Sequence, residues 1–187
     1  MLTFSGHKFH AVRGVGFVYK KAGKKITPLL TGGGQEKDFR STTENVAGIA
    51  SMAKALRLVT DKEGFSLSKI AKMKKIIFDE LAKYEDITIF SGEGEDFAPN
   101  ILTFGVKGVR GEVVVHAFEE HQIYISTTSA CSSKAGKPAG TLISMGVPTK
   151  LAQTAVRIRL DDDNDMGQVE QFLTIFKQVY AKTQKVR

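Results

Sequence analysis

The chain holds one cysteine in 187 residues, Cys131, so no intramolecular disulfide can form. No apolar run approaches the length of a membrane span, and the N-terminus lacks the charged, apolar and small-residue order of a secretion signal. Neither internal repeats nor low-complexity tracts are visible. The triple glycine at Gly32, Gly33 and Gly34 has neither Walker-loop nor dinucleotide-fingerprint spacing and reads as a turn. The acidic run from Asp161 to Asp165 has Met166 where a calcium loop needs glycine and Phe172 where it needs glutamate. His10, His116 and His121 show no metal-ligand spacing. These absences point to a cytoplasmic protein with no disulfide, no membrane span and no bound metal.

What is present suits a globular protein: 42% of the residues are apolar, enough for a real core. The net charge of +7 would allow a nucleic-acid partner if the cations gathered on one face. They do not gather: Lys20 to Lys25, Lys69 to Lys75 and Lys182 to Arg187 form only small groups, interleaved with apolar or acidic residues. They read as solvated faces rather than as a nucleic-acid surface.

Val15 to Tyr19 is rich in β-branched and aromatic residues and predicts a strand, with a turn at Lys20 to Lys25 and a hairpin ending near Leu30. Ser41 and Thr42 are candidate N-caps for a helix striped by Val46, Ile49, Met52, Ala53, Leu56 and Val59. A second helix is expected from about Ser66 to Tyr84, with a break at Asp61 to Gly64 that places a domain boundary between residues 62 and 63. Ile87 to Phe90, Ile101 to Val106, Ile123 to Thr127 and Ala155 to Leu160 predict strands. Glu112 to Glu120 is assigned helix over a competing strand reading, and Gln168 to Lys182 is an amphipathic helix with an acidic run before its start. The layout is α+β.

Three residues can carry chemistry. Lys8, in Ser5-Gly6-His7-Lys8, is a candidate imine-forming amine, against the alternative of a surface lysine. Cys131 lies among small polar residues directly after a predicted strand, where a thiol is exposed enough to react and Lys134 can favour the thiolate. The competing reading is an incidental surface thiol. Arg157 and Arg159 share one strand face, opposite Val156, Ile158 and Leu160, and either offer a fork for a carboxylate or form a solvent-facing pair on an edge strand.

Read together, separated segments resemble the cysteine desulfurase branch of the class V aminotransferases, which are fold type I pyridoxal-phosphate enzymes. They are Phe4 to Lys8 with Arg13 to Gly16, Gly32 to Glu36 with Phe39 to Asn45, Pro99 to Ile101, Arg110 to Glu112, the Cys131 loop and Val156 to Ile158. The resemblance covers essentially the whole chain but only the C-terminal half of such an enzyme. It implies that residues 1–62 are the tail of the large cofactor-binding domain with a connecting helix. Residues 63–187 are then the small C-terminal domain, an antiparallel sheet backed by helices.

By the same resemblance Lys8 holds pyridoxal 5'-phosphate as a Schiff base and moves protons, Ser5 and His7 contact its phosphate, and Thr43 reaches the phosphate of the neighbouring subunit in a homodimer. Arg157 clamps the substrate carboxylate. Cys131 takes sulfur from L-cysteine, leaving L-alanine and a persulfide for a sulfur-acceptor protein in iron-sulfur cluster assembly or nucleotide thiolation. Thr42 and Thr128 stand where the family usually has glycine. The groups that hold the cofactor ring precede the lysine in the family and have no counterpart here, so the chain is expected to be inactive alone. The alternatives are another class V aminotransferase, a selenocysteine lyase, or a non-catalytic interaction fragment.

Overall fold

The structure, a computed structural model, describes residues 1–94, 96–127 and 140–184. It separates into two compact units, Met1–Glu63 and Gly64–Arg187. In the first, strand β1 (Leu2–Ser5) pairs antiparallel with β2 (Gly16–Tyr19), in the register Leu2 to Tyr19 and Ser5 to Gly16. A 3-10 turn, Gly6–Phe9, connects toward the second strand. The expected strand at Val15 to Tyr19 is present, but its partner is the upstream Leu2 to Ser5, and residues 26–30 form no strand. Phe4 and Phe17 explain the choice, since they face each other in the ladder with ring centroids 4.5 Å apart.

Helix α1 runs unbroken from Val46 to Leu81, correcting the expected break at Asp61 to Gly64. One internal glycine costs a helix only about 1 kcal/mol. The apolar stripes on either side also share one phase, because Val59 and Ile70 lie about three turns apart. The cap is Asn45, not Ser41 or Thr42: its carbonyl accepts the Ile49 N–H at 2.9 Å and its Oδ1 accepts the Gly48 N–H at 3.0 Å.

The second unit is a four-stranded antiparallel sheet in the order β3 (Ile87–Ile89), β4 (Ile101–Val106), β6 (Ala155–Arg159), β5 (Ser126–Thr127). Helices α2 (Gly111–Glu119), α3 (Gly140–Ser144), α4 (Thr149–Ala152) and α5 (Met166–Gln184) accompany it. The α+β fold class and the helical assignment of Glu112 to Glu120 hold. The third expected strand is shorter than Ile123 to Thr127, because Ile123 donates its N–H to Phe118 at the end of α2 and Ile125 packs on the core ahead of the ladder.

Alternation on the sheet sends Leu102, Phe104, Val156 and Ile158 to one face. There they meet Ile70, Met73, Ile77 and Leu81 of α1, Val114 and Phe118 of α2, and Val169, Phe172, Phe176 and Val179 of α5. Aromatic rings bind this core: Phe118 stacks on Phe172 at 5.1 Å, and Tyr84 meets Phe176 edge to face at 5.2 Å.

The start of α5 is a reciprocal cap. Asp165 Oδ1 accepts the Gln168 N–H at 2.9 Å, and Gln168 Oε1 accepts the Asp165 N–H at 3.3 Å. Asp165→Ala removes one half of it and is expected to cost about 1 kcal/mol, measured by urea unfolding.

Candidate functional site

Ser5 closes β1, and His7 and Lys8 lie in the 3-10 turn that follows. The turn is pinned at its start by Gly6, whose N–H donates to Val15 at 2.8 Å and whose carbonyl accepts the Ala11 N–H at 3.1 Å. A Cβ at position 6 would lie 2.9 Å from the Val15 carbonyl oxygen, so glycine is required for this approach. His10, in the left-handed region at φ 72°, ends the turn. The result brings Ser5, His7 and Lys8 onto one four-residue step, all exposed. Thr43 lies in the exposed segment before Asn45, beside the exposed Thr42.

Between them in sequence, Glu36, Lys37 and Asp38 take φ of 52°, 55° and 65°. Three consecutive left-handed residues that are not glycine cost roughly 1 kcal/mol each or more. The turn is tied by Asp38 N–H to Gly34 at 3.1 Å and Phe39 N–H to Glu36 at 3.2 Å.

In the second unit, β6 lies between β4 and β5, so Arg157 is on an interior strand and not on the edge strand that was one of its two readings. Its ladder partners are Thr103 on β4 and Ser126 on β5, which share its sheet face. Val156 and Ile158 point the other way, into the core. Arg159 binds Asp161 at 3.0 Å. Arg157 is half-buried and makes no side-chain hydrogen bond or ion pair among the described residues. A guanidinium is a planar fork of donors that can bind a carboxylate through two hydrogen bonds, and here it stands on a strand between two hydroxyl residues. Cys131, Thr128 and Lys134 lie outside the described residues.

Sequence reasoning placed Lys74 on a solvated face, and the structure corrects this: Lys74 is 6% exposed, beside Met73 and within a turn of Ile70 and Ile77. Its Nζ donates to the carbonyls of Gly92 at 3.1 Å and Ala98 at 3.0 Å, bracing the segment that leads from β3 into β4. Burial pushes its pKa down, and the nearby Glu93 carboxylate opposes the shift. Its place on the apolar stripe was the available signal. Arg110-Gly111-Glu112 also gains a structural reason. A Cβ at Gly111 would sit 2.7 Å from the Ala155 carbonyl oxygen, so glycine lets α2 begin against β6.

The first unit thus presents a primary amine and an imidazole in the turn with a hydroxyl at the strand end before it, and the second unit presents an arginine that has no side-chain partner among the described residues. The chain belongs to the aminotransferase class-V family, whose model matches residues 1–172. It is 46% identical over 186 residues to a NifS/IcsS protein homolog of Lactobacillus delbrueckii subsp. bulgaricus, covering 100% of this chain and 48% of that protein. It is 34% identical over 160 residues to the cysteine desulfurase IscS of Dictyoglomus turgidum, covering 86% of this chain and 41% of that one. The solved NifS-like protein of Rickettsia africae superposes with a TM-score of 0.81 at 30% identity, over 96% of this chain and 47% of that one. The chain thus spans about half the length of the curated relatives it matches.

Members of this family generally depend on pyridoxal phosphate. The donor set in the first unit fits such a group: Lys8 offers an exposed amine that can condense with an aldehyde, and Ser5 at the end of β1 and His7 in the turn offer donors a phosphate can take. No helix among the described residues is long and apolar enough to cross a membrane.

Proposed function

We propose that this chain is the C-terminal half of a pyridoxal-phosphate-dependent cysteine desulfurase, converting L-cysteine to L-alanine and passing the sulfur on as a persulfide. Residues 1–62 belong, on this reading, to the cofactor-binding domain and residues 63–187 to the small domain. The observation that carries it is the half-buried Arg157, without a side-chain partner among the described residues, on an interior strand of a chain whose named relatives include cysteine desulfurases.

The bound cofactor supplies an electron sink at the substrate carbon next to nitrogen. Lys8 supplies the amine that anchors the group and carries protons to and from that carbon, while Ser5 and His7 hold the phosphate. Thr43 reaches the equivalent phosphate in the second subunit of a homodimer. Arg157 takes the substrate carboxylate as a two-pronged fork and sets the orientation of the cysteine side chain. The Cys131 thiolate attacks the substrate sulfur, forming an S–S bond as the substrate C–S bond breaks. The electron pair stays on carbon, which takes a proton on the way to alanine, and the sulfur remains on Cys131 as a persulfide. A sulfur-acceptor protein of the cytoplasm, serving iron-sulfur cluster assembly, removes it.

The test joins this chain to the half of the Lactobacillus relative that it does not match, and assays alanine and persulfide from L-cysteine in the presence of pyridoxal phosphate. Equal yields of the two are expected. Transamination of cysteine without persulfide would replace the reading with an aminotransferase. In the same protein Arg157→Ala is expected to raise KM for cysteine by about a hundredfold, through loss of a charge-assisted pair, and to leave cofactor absorbance unchanged.

A further inference from the structure

Lys74 sits on the apolar stripe of α1 with Ile70, Met73 and Ile77, and is only 6% exposed. An ammonium taken so far out of water carries a desolvation cost that a methionine of similar length would not. Among the described residues its hydrogen-bond partners are carbonyls alone, Gly92 at 3.1 Å and Ala98 at 3.0 Å, while the Glu93 carboxylate lies 3.4 Å from Lys75. What the amine adds over an apolar side chain is therefore direction, because each donor fixes where a carbonyl stands.

Those two carbonyls lie on the two arms of the connection between β3 and β4. The arms touch, since a Cβ at Gly92 would overlap the Phe97 ring. Each arm is bonded in turn to β4. On the Gly92 arm, Ser91 Oγ accepts the Thr103 N–H at 2.8 Å, and the Phe90 N–H donates to the Thr103 carbonyl at 2.8 Å. On the other arm, the Ala98 carbonyl that takes Lys74 also accepts the Ile101 N–H at 3.3 Å. The ladder between β3 and β4 ends at Ile89 and Phe104, so the Thr103 N–H relies on the Ser91 hydroxyl for its partner. Thr103, itself 8% exposed, is the ladder partner of Arg157. Directly opposed residues on one sheet face hold their Cβ atoms about 5 Å apart, so a displaced Thr103 displaces the surroundings of the arginine stem.

We infer that Lys74 is a positioning residue for carboxylate binding at Arg157: by holding the Gly92 and Ala98 carbonyls, its amine fixes Ser91 and, through it, Thr103 beside the arginine. The inference deepens the proposed function and rests on its reading of Arg157 as the substrate clamp.

In the 187-residue chain, Lys74→Met is expected to speed amide exchange at Thr103 by about tenfold or more, while Phe176 in the core of α5 exchanges at its former rate. In the protein joined to the unmatched half of the Lactobacillus relative, the same variant is expected to raise KM for cysteine by about tenfold and to hold kcat within about twofold. Added to Arg157→Ala it should raise KM no further, because a residue that acts through the arginine has nothing left to position once the arginine is gone. Ser91→Ala, which removes the acceptor of the Thr103 N–H and leaves the buried amine in place, is expected to reproduce both results. Val179→Ala, a core truncation on α5, is expected to lower stability and leave KM unchanged. Exchange that speeds equally at Thr103 and Phe176, a KM that neither Lys74→Met nor Ser91→Ala changes, or a double variant about tenfold above Arg157→Ala alone overturns the inference. A joined protein that makes no alanine removes the desulfurase reading, and the exchange at Thr103 then upholds or overturns the positioning role by itself.

Discussion

In the joined protein, Cys131→Ala is expected to reduce alanine formation from L-cysteine by on the order of a thousandfold or more, and to abolish persulfide entirely. The thiolate supplies the only acceptor for the sulfur in the proposed scheme, and alanine has no side chain that can form an S–S bond. The cofactor anchor at Lys8 is untouched, so the visible absorbance of the bound group should be unchanged. Peptide mapping after alkylation should find one additional sulfur atom on the Cys131 peptide of the unmodified protein and none elsewhere. Full activity in Cys131→Ala would remove the residue from the chemistry, whatever the fate of Arg157.

A comparable loss, in stability rather than rate, is expected at Phe176. Its ring is fully buried in the second unit, 5.2 Å from Tyr84 and 6.2 Å from Phe104 between centroids, with Phe172 at 6.3 Å and Tyr180 at 5.9 Å. Truncation leaves a cavity between α5, the end of α1 and β4, bounded by rings and ladder strands that cannot collapse into it. Phe176→Ala is expected to cost about 3–5 kcal/mol, and Phe176→Leu about 1.5 kcal/mol because most of the volume is retained. At typical denaturant sensitivity the alanine variant should lower the urea midpoint of the second unit by roughly 2 M. A loss below about 1 kcal/mol would mean that α5 is not packed as described.

The second unit was largely legible because its periodicities are unambiguous. Val169, Phe172, Phe176 and Val179 announced α5, and alternation in Val156 to Leu160 set which face of β6 meets the core. The reading failed where a local signal had to be weighed against tertiary packing. Gly64 resembled a helix stop, yet the shared phase of the flanking stripes carried α1 through it. The turn at Lys20 to Lys25 suggested a partner downstream, while aromatic pairing of Phe4 with Phe17 selected the upstream strand. Lys74 could not be recognised as buried from charge alone, because only folding brings the carbonyls of Gly92 and Ala98 to its amine.

At the site, sequence placed Ser5, His7 and Lys8 in one short motif, and the 3-10 turn keeps them together. It could not tell whether Arg157 stood on an edge or interior strand, since strand order depends on pairings distant in the chain. The role proposed for Thr43 comes from family resemblance alone, because an exposed threonine in a loop carries no local signature of a phosphate contact.

The interior position of β6 limits how this protein can diverge. Sliding that strand by one residue would break two ladders and exchange its buried and open faces at once, so drift cannot gradually re-aim position 157. The arginine's surroundings should therefore change first through the flanking positions 103 and 126, where a longer or charged side chain can alter them while the backbone stays fixed.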